Sequence, residues 1–266
     1  MLTADSFFDL SSWDHPDLIL PGEEPWAALK SLKGYLAELD YPDFPPELIR
    51  NGEPLKTTLV FCDNKFLAAG DFVLDCGDAT KGGVRVYDGD RQLEGASIIM
   101  AGTVLEGGRI HFGRGVLVEA GALIKSPTVI GDLTEVRHGA YIRGNCLVGR
   151  ACVVGHTTEV KHTIFMNNAK AGHFAYLGDS ILGNGVNLGA GTKLANLRFI
   201  KGDVSVATPE GLVNTGLRKL GAILADGVQT GCNSVTSPGT LLGKKSMVLP
   251  NVTVRSGYHP DSSLVR

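Results

Sequence analysis

Lys125, Arg143 and Lys161 follow one another at intervals of 18 residues, and His138 and His156 repeat that interval. Cations held at a fixed spacing can grip an anion between them. Imidazoles can move protons near neutral pH or ligate a metal. His162 directly follows Lys161, and His173 stands between a glycine and an aromatic residue. What this set can do depends on whether an 18-residue step brings side chains together in space.

A six-residue beat supplies that step. Phe112, Val118, Ile124, Ile130, Val136, Ile142, Val148, Val154 and Val160 recur without a break, and the beat returns in Leu182, Leu188 and Leu194 and again from Leu224 to Val254. Four residues after each large apolar residue comes a small or β-branched one: Val116, Ala122, Thr128, Thr134, Ala140, Cys146, Cys152, Thr158, then Ile164. Alternating inward positions suit short strands bent into a triangular tube, a parallel β-helix with three hexads per turn. An antiparallel sandwich would instead show irregular turns about 8–12 residues apart. The expected fold is all-β, a single-stranded parallel β-helix with a small α+β N-terminal region.

In such a tube Lys125, Arg143 and Lys161 form one vertical column with neighbours about 4.8 Å apart. Like charges at that distance repel by about 1 kcal/mol in water. The column is tolerable if the side chains splay into solvent, and favourable if an anion sits between them. Three convergent imidazoles would make a zinc site of the kind found in hexapeptide-repeat carbonic anhydrases. Those use a His-x4-His pair, whereas five residues separate His156 from His162.

Composition narrows the classes. The chain has 266 residues, 43% of them hydrophobic, and a net charge of −3, which suits neither a general nucleic-acid binder nor a membrane binder. No apolar stretch has the length of a spanning helix, and the opening MLTADSFFDL is acidic where a signal peptide is basic, so a cytoplasmic location is expected. Five cysteines without a CxxC pair argue against a disulfide framework or zinc ribbon, and Cys146 and Cys152 fall at inward positions.

Residues 1–92 lack the beat and hold most of the prolines, marking a small N-terminal α+β or capping region; residues 93–266 form the β-helix. Pro25 followed by Trp26, Leu29, Leu32, Leu36 and Leu39 predicts an amphipathic helix, and TTLVFC and KFLAAGDFVLDC predict strands. Between Val160 and Leu182 the phase slips, so the chain is expected to loop out or kink. A second interruption, LRFIKGDVSVATPEGLVNTGLRK, is expected to project from the tube and reach a neighbouring subunit.

The run AKAGHFAYLGDSILGNGVNLGAGTKLAN, residues 169 to 196, resembles the glucosamine-1-phosphate N-acetyltransferase half of the bifunctional enzyme family that forms UDP-N-acetylglucosamine, above all in AGHxxYLGD and GxxVNLGAGT. The likeness covers about residues 97 to 255. It implies a left-handed β-helix, a homotrimer with each site built where tubes meet, and direct transfer from acetyl-CoA to an amino-sugar phosphate, with no metal required. His173 is implied as general base. Arg143, Lys161, Tyr176, Asn187 and Lys219 are implied to hold the sugar phosphate, and Ala190, Asn196, Cys232 and Pro250 the acetyl-CoA. Amide hydrogens near Asn196 are implied to steady the oxyanion.

Departures qualify this reading. Bacterial members have CNYDG after GAGT, and here LANLRF stands instead, as in archaeal-type variants, with Leu197 in place of an aromatic. The uridylyltransferase region is absent, so the chain is not expected to make the nucleotide sugar. A non-catalytic trimeric sugar-phosphate scaffold or sensor and a zinc-dependent hydratase are the competing readings.

Overall fold

The computed structural model describes residues 2–266. Among them, the hexads form short strands that stack in parallel into three walls, which the chain visits in rotation. The first wall contains Glu135–Val136, Val153–His156, Lys170–His173 and Asn187–Leu188. The second contains Leu123–Lys125, Tyr141–Ile142, Glu159–Lys161, Tyr176–Gly178 and Lys193–Leu194. The third contains Thr128–Ile130, Cys146–Val148, Ile164–Phe165 and Ile181–Leu182. Val136 pairs with Val154, Ile142 with Val160 and Ile130 with Val148, so each step between floors is 18 residues. The large residues of the beat from Phe112 to Val160 are at most 1% exposed and form one continuous column.

Small inward positions can be hydroxylic because the tube satisfies them. Thr134 donates its hydroxyl to the Gly149 carbonyl at 2.8 Å, and Thr158 does the same to Ala171 at 3.2 Å. The glycines that follow the large residues are needed because coils approach closely. A Cβ on Gly131 would lie 2.6 Å from the Gly149 carbonyl carbon, and one on Gly155 would overlap the backbone of Gly172. The left-handed turn residues come two positions later and are often not glycine, as at Leu133, Thr157 and Phe174.

The phase slip is not a loop. The tube runs through it uninterrupted, but Val154 pairs with Ala171 and Val160 with Leu177, a step of 17 residues. Two hexads, Val160 to Phe165 and Leu177 to Leu182, have each lost one residue at the corner between the second and third walls. Ile164 therefore does not take the small inward position. It faces outward into a second apolar cluster, and Thr163 occupies the inward slot, donating to Lys161 and Leu177 carbonyls.

The N-terminal residues cover what the tube leaves apolar. The helix Ala27–Glu38 begins after Trp26, two residues later than Pro25 suggests, and buries Leu29, Leu32 and Leu36. With Phe7, Phe8 and Trp13 it packs over the outer face of the third wall, on Val129, Leu147, Ile164 and Ile181. At the starting end, Phe61 and Phe66 close onto Phe112, and the strand Leu59–Cys62 pairs antiparallel with Ser97–Ile99. Each buried leucine there contributes about 1.5–3 kcal/mol. The second interruption forms an antiparallel hairpin, Ser205–Thr208 with Gly211–Asn214, whose Val204 and Val206 join the same outer cluster, while Phe199 and Ile200 stand in solvent.

His15 and His111 lie in these covering contacts, and burial pushes both below the ordinary imidazole range. A histidine that resists protonation when folded leaves the unfolded chain binding more protons. Its contribution is therefore complete above about pH 6.5 and declines as pH falls through the folded value. The melting temperature is expected to drop between pH 7 and 5, and His111→Gln to flatten that drop. Calorimetric scans across the range check it.

Candidate active site on the second wall

The register converts the candidate residues into two columns at the two ends of one wall. Ile124 pairs with Ile142 and Ile142 with Val160, which sets Lys125, Arg143 and Lys161 on successive floors at the corner between the second and third walls. Each cation has a carboxylate partner: Lys125 meets Glu106 at 3.0 Å, Arg143 meets Glu159 at 2.7 Å and Lys161 meets Asp179 at 3.4 Å. The column thus escapes its own repulsion by a route that spacing alone does not show. Neighbouring carboxylates offset the repulsion between the stacked cations. Tyr141 lies beneath both Lys125 and Arg143, its ring centre 5.9 Å and 5.8 Å from their charged groups.

Asp179 is the hub of this corner. It is 6% exposed and occupies one of the two shortened turns with φ 48°, opposite His162 at the same φ in the other. Its Oδ1 accepts from His162 Nδ1 at 2.9 Å, and its Oδ2 accepts from Asn196 Nδ2 and Lys161 Nζ. Burial opposes ionisation of this carboxyl, but the His162 and Asn196 hydrogen bonds and the Lys161 charge outweigh it and hold the group below its ordinary range. Tyr176 stands on the outer face directly above Glu159 and below Lys193, and its hydroxyl meets Asn196 Oδ1 at 3.4 Å. Lys219, at the neck of the inserted hairpin, bridges to Leu197 beside this corner.

The other end of the wall carries the second column. His173 pairs with His156, the Gly191 amide donates to the His173 carbonyl, that of Asn233 to Ala190 and that of Asn251 to Cys232. His173, Ala190, Cys232 and Pro250 therefore rise along one edge, with His138 and His156 beneath. His138 and His156 stack with ring centres 5.6 Å apart at 14°, and their Nδ1 atoms meet the carbonyls of Ala120 and His138. The imidazoles lie one above another along the edge and do not converge on a point. Asn187 is exposed on the outer face of the first wall, in register with Lys170.

The structure thus brings together Arg143, Lys161, Tyr176 and Lys219 at one corner, and His173, Ala190, Cys232 and Pro250 at the other. Asn196, grouped by resemblance with the acetyl-CoA residues, lies at the cationic corner, where its amide nitrogen donates to Asp179. Gly178, the register partner of Lys161, lies five steps along the chain from His173, so at the strand rise the two columns of one chain are at most about 16 Å apart. Sequence reasoning missed Asp179, Glu159, Tyr141 and Lys193. Lys193 is exposed on the same face and donates to the Gly191 carbonyl at 2.9 Å. A count of 17 from Tyr176 finds it, once the shortened turn is known.

A family model described as the GMPPB C-terminal domain matches residues 124–262, the segment that carries both columns. The chain belongs to this family. Relatives of this GMPPB C-terminal domain protein include the bifunctional sugar-1-phosphate nucleotidylyltransferase/acetyltransferase of Sulfurisphaera tokodaii, 38% identical over 92 residues, which are 35% of this chain and 23% of that one. The bifunctional protein GlmU of Methanococcus aeolicus is 38% identical over 38% of this chain and 24% of its own length, and that of Methanocaldococcus jannaschii 40% identical over 32% and 21%. These names agree with the family resemblance carried by AGHxxYLGD. The matched part is about a quarter of the length of those relatives. A GDP-perosamine N-acetyltransferase from Caulobacter crescentus, solved with CoA and GDP-perosamine, aligns over 63% of this chain and 51% of its own at 21% identity with a TM-score of 0.25, a likeness too slight to bear on ligand or mechanism.

Proposed function

We propose that the protein is an acetyl-CoA-dependent N-acetyltransferase acting on glucosamine 1-phosphate or a closely related amino-sugar phosphate. The observation that carries the reading is the single edge on which His173, Ala190, Cys232 and Pro250 follow one another, facing along the same wall as the Arg143 and Lys161 corner. In this reading the imidazole of His173 takes a proton from the attacking sugar ammonium or amine. The nitrogen adds to the thioester carbonyl, the tetrahedral intermediate collapses, and the CoA thiolate leaves and takes up a proton. Transfer is direct, so no acyl-enzyme forms. Arg143, Lys161, Tyr176 and Lys219 hold the sugar phosphate, with Asn187 at the sugar. The pantetheine arm follows the Ala190–Cys232–Pro250 edge.

Because the two columns of one chain lie at opposite ends of a wall, a complete site requires that the cationic corner of one copy meet the histidine edge of another. Three copies around an axis provide this, and the reading includes that homotrimer. The chain holds no metal role in this scheme. Among the described residues no helix is long and apolar enough to cross a membrane.

The competing reading is a trimeric sugar-phosphate scaffold without turnover, its Arg143 and Lys161 paired with Glu159 and Asp179 in the same way. Thiol release from acetyl-CoA with glucosamine 1-phosphate separates the two. A cheaper probe addresses the donor edge. Cys232 and Cys76 are exposed, whereas Cys146 and Cys152 are buried with thiols pushed up to about 12. Iodoacetamide is expected to modify Cys232 and Cys76 and spare the buried pair, and acetyl-CoA to slow modification of Cys232 but not Cys76. Equal rates with and without acetyl-CoA, read by mass spectrometry, would count against the donor edge.

A further inference from the structure

His162 has no part in the reaction as written, yet its ring is held by a buried carboxylate. Its Nδ1 lies 2.9 Å from Oδ1 of Asp179, a buried carboxyl that its neighbours keep ionised. A carboxylate can only accept, so Nδ1 carries the hydrogen, and in the neutral ring Nε2 is left bare. The ring is partly exposed, with 21% of its side-chain surface accessible. The ionisable groups around it are Lys161 and Glu159 on its own strand, Asp179 and Tyr176 on the floor above, and Arg143 and the buried Cys146 on the floor below. Arg143 is held in its charged form by the Glu159 hydrogen bond, and Lys161 pairs with Asp179. Cys146 stays a thiol and Tyr176 a phenol, since burial raises both. Among the side-chain types at this corner, imidazole is the one suited to moving a proton near neutral pH.

We propose that His162, held by Asp179, selects a phosphate monoester by sharing a proton with it. This rests on the reading of the cationic corner as the phosphate site of the acceptor. A monoester loses its second proton near pH 6, close to the range in which imidazoles titrate. When the dianion binds beside Lys161 and Arg143, Nε2 takes up one proton from the solvent, turning from a bare acceptor facing an anion into a charged donor. A phosphodiester, and the diphosphate bridge of a nucleotide sugar, offers no second negative charge on the same phosphorus and does not draw that proton. The dyad thus discriminates sugar 1-phosphates from nucleotide-linked sugars at the recognition step, before chemistry. His162 acts here as a specificity residue and Asp179 as its positioning residue.

Isothermal titration calorimetry of the full-length protein with glucosamine 1-phosphate, in two buffers of different ionisation enthalpy, reads the shared proton directly. At pH 7.5 the wild type is expected to take up close to one proton per ligand, and its affinity to fall about tenfold between pH 6.5 and 8. His162→Gln is expected to take up none and to show a flat affinity above pH 7, and the methyl phosphodiester of glucosamine 1-phosphate to behave the same way on the wild type. Zero proton uptake by the wild type with binding intact overturns the inference and leaves the acceptor reading standing, with no variant required. Identical profiles for wild type and His162→Gln do the same. Proton uptake that depends on His162 with inorganic phosphate, but no binding of glucosamine 1-phosphate, supports the inference and removes that acceptor. Binding of neither ligand overturns both.

Discussion

Replacing His173 with alanine is expected to lower kcat/KM for acetyl transfer by about 10²- to 10⁴-fold, the range lost when a positioned general base is removed. The substitution is well isolated. His173 is exposed at the turn, and among the described residues its ring meets Phe174 with centres 6.3 Å apart and makes no hydrogen bond. Truncation therefore opens no cavity and orphans no buried polar group, and stability should stay within about 0.5 kcal/mol of wild type. A loss of rate with an unchanged melting curve and unchanged glucosamine 1-phosphate binding would locate the defect in proton transfer. A loss of less than tenfold would move the base elsewhere on the wall.

Gly155→Val is expected to prevent folding, because the site depends on coil spacing as much as on any side chain. Gly155 lies in the strand Val153–His156, just before the histidine edge, and a Cβ there overlaps the carbonyl and Cα of Gly172 one floor up. Those atoms are backbone, fixed by the pairing of Val153 and Val154 with Lys170 and Ala171, so the strain has no flexible side chain to relax into. The cost should be on the order of 4 kcal/mol or more, enough to remove most of a domain's stability. Gly172 itself provides the control. A Cβ there meets nothing within 4 Å, so Gly172→Ala should fold with a melting temperature near that of wild type. Far-ultraviolet dichroism and thermal melts of the two variants test the contrast. Soluble, cooperative Gly155→Val would mean that the coils are spaced more loosely than the structure has them.

The columns were legible in the sequence because a solenoid turns spacing into adjacency: a period of 18 is enough to stack Arg143 on Lys161 without any knowledge of side-chain packing. The same rule fails where the period changes. A missing residue between Val160 and Phe165 reads as a phase slip, and a slip alone does not separate a looped-out segment from a tightened corner. Tightening wins because His162 and Asp179 accept left-handed backbone and bond across the turn. The carboxylates beside the cations escaped notice for a related reason. Glu159 and Asp179 reach their partners from a neighbouring strand position or floor, and Asp179 does so across a 17-residue step that the regular beat does not predict. The hydrogen bond from Asn196 to Asp179 is likewise a matter of local rotamer and burial, which spacing does not carry. The helix from Ala27 to Glu38 was readable from its apolar stripe, but which wall it covers is settled only by the outward row Val129, Leu147, Ile164 and Ile181, itself dependent on the shifted register.

The most direct test of the account is release of free thiol from acetyl-CoA by the purified protein with glucosamine 1-phosphate as acceptor, run beside Lys161→Ala and His173→Ala. Saturable, acceptor-dependent release that falls sharply in both variants, through weaker acceptor binding in the first and slower turnover in the second, is the predicted result. Acceptor-independent release, or none at all across amino-sugar phosphates with the protein folded and assembled, would contradict it.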